Sequence, residues 1–107
     1  MKAQLVFNLV QTWEFRFGGT ASVRMDCYQI APEEAGFQKA YVLSWIAFDP
    51  LKPSKRVLMD QHRGRPCHIH IDDKDKVLDV LPNDLGEAYD IFRAEVVKHF
   101  GEILEVK

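Results

Sequence analysis

Trp13-Glu14-Phe15-Arg16-Phe17 alternates apolar and polar side chains without a break, the pattern of a strand with one buried face. Gly18-Gly19 follows, a dipeptide suited to the positive φ angles of a tight hairpin turn. Val23, Met25 and Cys27 then alternate with Arg24, Asp26 and Tyr28, which predicts the returning strand. Upstream of Trp13 the pattern supports two elements: Leu5, Leu9 and Trp13 suit a helix face, whereas Leu5, Phe7 and Leu9 suit a strand. Residues 31–36 form a loop. Phe37 to Phe48 is the strongest strand signal, with Phe37, Tyr41, Leu43 and Trp45 on one face and Ala40, Val42, Ile46 and Phe48 on the other. Two apolar faces predict a central strand covered on each side, the second cover being open to a partner protein.

Asp49-Pro50-Leu51-Lys52-Pro53 interrupts this run, because proline donates nothing to a ladder. Lys55 to Gln61 resumes a strand, His62 to Pro66 turns it, and Cys67 to Ile71 is short and extended. A helix comes last. Asn83 or Asp84 caps its start, Leu85, Tyr89, Phe92, Val96 and Phe100 recur at spacings of four and three, and Gly101 closes it. His99 falls in the final turn, where the helix dipole favours a cation. Residues 102–106 suit either a continuation of the helix or a small strand. The sum is an α+β fold, an antiparallel sheet of four to five strands with one long C-terminal helix packed on it.

At 107 residues the chain has room for a single domain, 1–107, and its 47% hydrophobic content excludes global disorder. No apolar run approaches the roughly 20 residues of a membrane-spanning helix, and Asn8 interrupts the apolar start, so the expected address is the cytoplasm. Cys27 and Cys67 are too few for a disulfide framework and are expected as reduced thiols in the core. The net charge of −2 hides an asymmetry, since residues 1–71 sum to +3 and residues 72–107 to −5. Lys52, Lys55, Arg56, Arg63 and Arg65 cluster with only Asp60 opposing them, a local patch suited to phosphate or to a solvated strand edge.

Chemistry concentrates in residues 60–73, where three of the four histidines fall within nine residues. On a strand His68, His70 and Asp72 share one face while Cys67, Ile69 and Ile71 take the other. Two imidazoles roughly 7 Å apart suit three uses. They can act as acid and base across a phosphodiester, needing no cofactor. With a carboxylate from Asp72, Asp60 or a third imidazole, His62, they can hold a divalent metal such as zinc or manganese. They can also line an edge strand and bind nothing. Arg63 and Arg65 bracket Gly64 directly before the histidines, which puts phosphate-binding groups beside acid–base groups. Asp72, Asp73 and Asp75, interleaved with Lys74 and Lys76, read as a solvated loop. Cys67 beside His68 is not a thiolate–imidazole pair, because strand neighbours face opposite sides.

The string Asp60-Gln61-His62-x-Gly64-Arg65-x-x-His68-x-His70-x-Asp72, followed by an acidic stretch and a helix, resembles the TumE-like toxin family of bacterial toxin–antitoxin pairs. Asp60, His62, Gly64, Arg65, His68 and His70 fall on its motif positions, and Gln61 stands where an Asn is common. The resemblance covers the second half of the chain. It implies a small toxin paired with a helix-turn-helix antitoxin. An endoribonuclease is then expected, with His68 and His70 as the acid–base pair, Asp60 and His62 assisting, and Arg63, Arg65, Lys55 and Arg56 on phosphate. A metal-dependent hydrolase at the same histidines and a non-enzymatic interaction module are the competing expectations, with a homo-oligomer compatible with each.

Overall fold

The computed structural model describes residues 3–30, 36–62, 66–72 and 76–107. Strands β1 (Gln4–Phe15), β2 (Thr20–Gln29), β3 (Tyr41–Asp49), β4 (Lys52–Gln61), β5 (Cys67–Ile71) and β6 (Lys76–Val80) follow one another as an antiparallel meander. A single helical turn, α1 (Phe37–Ala40), precedes β3, and the long helix α2 (Leu85–Phe100) follows β6. The chain then returns to the opposite edge, where β7 (Ile103–Val106) pairs with β1, giving the order β6-β5-β4-β3-β2-β1-β7.

This is an α+β fold, but its sheet has seven strands, which corrects the four to five expected. The additional strands are β6 and β7, at the two edges. Both are short and carry charged residues, as edge strands do, so neither produces a strong alternation in the sequence. The ambiguous start resolves as strand, since β1 pairs with β2 from Gln4 to Glu14 with one irregularity between Leu5 and Phe7. Phe37 to Ala40 curls into α1, so the central strand begins at Tyr41 instead of Phe37. Gly18 and Gly19 carry the φ angles of 111° and 85° that the first hairpin requires.

Helix α2 covers one face of the sheet. Asp84 caps it by accepting a 2.7 Å hydrogen bond from the Glu87 N–H, and Gly101 ends it. Its Ala88, Phe92 and Val96 are buried against Trp13, Met25, Trp45, Met59 and their neighbours. Phe92 meets Trp13 and Trp45 edge to face, with centroids 6.0 and 5.9 Å away, the arrangement that aromatic quadrupoles favour. β3 is indeed central, yet α2 lies on one side only. On the other side Ser44 is exposed and Val42, Ile46 and Phe48 are half-buried. That open face carries the polar chemistry.

Candidate metal and acid–base centre

The β4–β5 pairing places Asp60 directly opposite His68 and Leu58 opposite His70. Met59, Gln61, Cys67 and Ile69 are buried on the core-facing side of the sheet, so the alternate positions Asp60, His68 and His70 face the other way. The register extends far beyond this hairpin. Asn8, Asp26, Ser44, Asp60, His68 and Asp79 stand opposite one another in succession across six strands. They form a polar row on the open face. Asp26, Ser44 and Asp79 went unnoticed in the sequence, where only a known register would have aligned them with the histidines.

Within that row, one oxygen of Asp60, Oδ1, lies 2.6 Å from Nε2 of His68 and 3.8 Å from Nε2 of His62. The other, Oδ2, lies 4.0 Å from Nε2 of His70. The His68 and His70 rings meet edge to face with centroids 4.8 Å apart. Asp60 is largely buried, at 13% side-chain exposure, whereas His62 is 65% exposed at the rim. Asp60 Oδ1 is shielded from water and accepts no aligned hydrogen bond, so the close approach of His68 lies off the axis an N–H would need.

The orientation of His68 explains that geometry. Its Nδ1 is 3.2 Å from the Pro66 carbonyl oxygen. A carbonyl can only accept, so this hydrogen bond exists when Nδ1 carries the proton. Nε2 of the neutral ring then carries a lone pair 2.6 Å from a carboxylate oxygen, its axis aimed past that oxygen. Two lone pairs at that separation repel unless a positive charge joins them, either a proton or a metal ion. Fixing one ring nitrogen on a backbone carbonyl while the other faces outward is also how metal-ligating histidines are commonly held.

Asp60, His68 and His70 can each offer one donor atom with all three atoms within 4.8 Å of one another. Donors in a tetrahedral zinc site are about 3.4 Å apart, so shifts of roughly 1 Å would close the group around an ion. Two imidazoles and a carboxylate suit a divalent first-row metal, with coordination positions left on the open side.

Asp72 does not join this group. Its φ of 56° turns it away from the strand, and its Oδ1 lies 2.7 Å from Nε2 of His99 and accepts a hydrogen bond from the Arg56 N–H at 3.0 Å. Arg56 in turn donates Nε to the Asp72 carbonyl oxygen, and Lys55 rests its ammonium 4.9 Å from the centre of the Phe100 ring. Those two basic residues are thus tied to the helix end and the β4–β5 ladder. Arg63, Gly64 and Arg65, like Asp73, Lys74 and Asp75, lie outside the described residues.

Gln61 has a structural role that sequence reasoning missed. Fully buried, it donates Nε2 to the Phe37 and Tyr41 carbonyl oxygens at 3.1 and 2.9 Å, pinning the start of β3 beside the end of β4. The only sequence signal was a polar residue at a core-facing position. Among the described residues no helix is long and apolar enough to cross a membrane. Comparison with protein-family models, with curated proteins and with solved structures finds no match, so the local geometry supplies the functional evidence.

Proposed function

We propose that Asp60, His68 and His70 hold a divalent cation, zinc or manganese, and that the chain is a phosphodiesterase acting on RNA. The observation that carries this reading is the shielded carboxylate oxygen of Asp60, which lacks an aligned donor and faces imidazole nitrogens. A cation bound there would supply Lewis acidity toward a phosphoryl oxygen. The protein's own groups do the rest: Pro66 fixes the His68 ring, Asp60 balances positive charge, and exposed His62 is placed to exchange a proton at the rim. RNA as substrate, and a toxin's setting beside a helix-turn-helix antitoxin, come from the motif resemblance and from Arg63 and Arg65, which precede the histidines in the sequence.

A second reading is favoured by the 2.6 Å approach of His68 to Asp60. In it, a protonated His68 pairs with the carboxylate as general acid and His70 serves as base, with no metal. One experiment separates the two. Protein prepared without chelator or affinity tag is analysed for metal, then assayed for RNA cleavage with and without EDTA. Bound metal and EDTA-sensitive cleavage are expected. Cleavage that survives EDTA transfers the reading to the acid–base pair. No cleavage that depends on His68 and His70 ends both.

A further inference from the structure

The sheet exposes three edge segments: β6, β7, and the part of β1 that β7 leaves uncovered. β7 reaches only Trp13 to Phe15, with Lys107 adding backbone hydrogen bonds to Thr12, so Gln4 to Gln11 has no strand on its outer side among the described residues. β6 carries Lys76 and Asp79, and β7 carries Glu105 with Lys107 just beyond. Such charges discourage another strand from adding to an edge. The free stretch of β1 has none. From Ala3 to Trp13 there is not one charged side chain, while Leu5, Val6 and Val10 are 52%, 41% and 76% exposed.

Beside this edge, on the helix side, runs a groove of about 310 Å³ whose walls include Phe7, Leu9, Met25, Trp45, Leu85 and Tyr89. Phe7 and Leu9 are only partly buried in it. An added strand would thus gain backbone hydrogen bonds from β1 and an apolar seat for alternate side chains, the two ingredients of strand addition.

We infer that the occupant is a second copy of this chain, its β1 pairing antiparallel with this β1 about a two-fold axis normal to the sheet. The absence of charge fits a second copy. A two-fold contact sets each residue against the same segment of its twin, so any charge near the axis would meet its like, and this segment offers none. An axis normal to the sheet keeps both α2 helices on one side and brings the two grooves together over Phe7 and Leu9 of each copy. The Asp60 centre lies three strands away on the opposite face and stays open in both copies.

The test is the solution mass of the full chain by size exclusion with light scattering, across a dilution series. A mass near twice 12.4 kDa is expected. Val10→Lys places a charge at a position already 76% exposed, where the monomer's packing is not disturbed, and is expected to yield the monomer mass with unchanged circular dichroism. Leu51→Lys, at the 94% exposed β3–β4 turn, controls for added charge and is expected to stay dimeric. A wild-type chain that is monomeric throughout, or a Val10→Lys chain that remains dimeric, would overturn the inference.

Discussion

Two histidine–aspartate pairs in this molecule have almost the same contact length and opposite characters. His99 Nε2 lies 2.7 Å from Asp72 Oδ1, and His68 Nε2 lies 2.6 Å from Asp60 Oδ1. Asp72 is already engaged on the backbone: its Oδ1 accepts the Arg56 N–H, its carbonyl accepts Arg56 Nε, and its N–H donates to the Arg56 carbonyl at 2.8 Å. The pair is a strut between the last turn of α2 and the end of the β4–β5 ladder. Asp60 instead holds an oxygen that no donor addresses squarely, in the midst of three imidazoles. Residue type and distance do not separate a strut from a site. What separates them is which lone pairs the rest of the fold has already used.

The widest gap between the pairs is expected in activity. On the proposed function, replacing both His68 and His70 by Ala removes two donor atoms from the centre and Asp60→Asn removes its negative charge, and either change should lower RNA cleavage by more than ~100-fold. Induced expression is expected to arrest bacterial growth with the wild type and not with the double variant. The same assays on His99→Ala should show near wild-type behaviour. Equal losses at His99 and at His68/His70 would erase the distinction between strut and site.

Stability should reverse the order. Asp72→Ala removes an acceptor shared by His99 and Arg56 and leaves a β-carbon residue with poor tolerance for a φ of 56°, so a loss of about 2 kcal/mol is expected in urea unfolding. Asp72→Asn keeps an acceptor and tolerates that backbone, so its loss should be smaller. His99→Ala should cost about 1 kcal/mol, because the pair is partly exposed and screened. Asp60→Asn should cost less than Asp72→Ala, since no aligned hydrogen bond is lost at Oδ1.

Smallest near neutral pH is the effect of Cys67, one residue from His68 but on the buried face. Burial pushes its thiol from 9.0 up to about 12, with the Asp60 charge adding to the rise, and burial alone pushes Cys27 from 9.0 to about 11. Thiols raised in this way add stability that is whole below 9.0, the unfolded value, and is lost as pH climbs through 11 to 12. Unfolding free energy should therefore decline from about pH 9 toward about pH 11 to 12, and less so in a Cys27→Ala/Cys67→Ala chain. At neutral pH both thiols should resist thiol reagents until the protein is denatured.

Local signals in the chain determined a good deal. Gly18-Gly19 specified the first turn, Asp84 and Gly101 bounded the helix, and the alternation from Cys67 to Ile71 put His68 and His70 on one face. Each of these follows from a few neighbouring residues whose own dihedrals or periodicity leave little choice. Other features required the tertiary structure. The edge strands β6 and β7 exist because the meander supplies backbone partners, not because their side chains insist on extension. Asp72 continues the His-x-His-x-Asp alternation on paper, yet the strand ends at Ile71 and the side chain goes to a histidine 27 residues away. Asp60 became the neighbour of His68, and Ser44 and Asp26 fell into line beyond it, through register alone. Sequence period decides which face a side chain takes; only strand pairing, set by the buried face as a whole, decides what stands beside it.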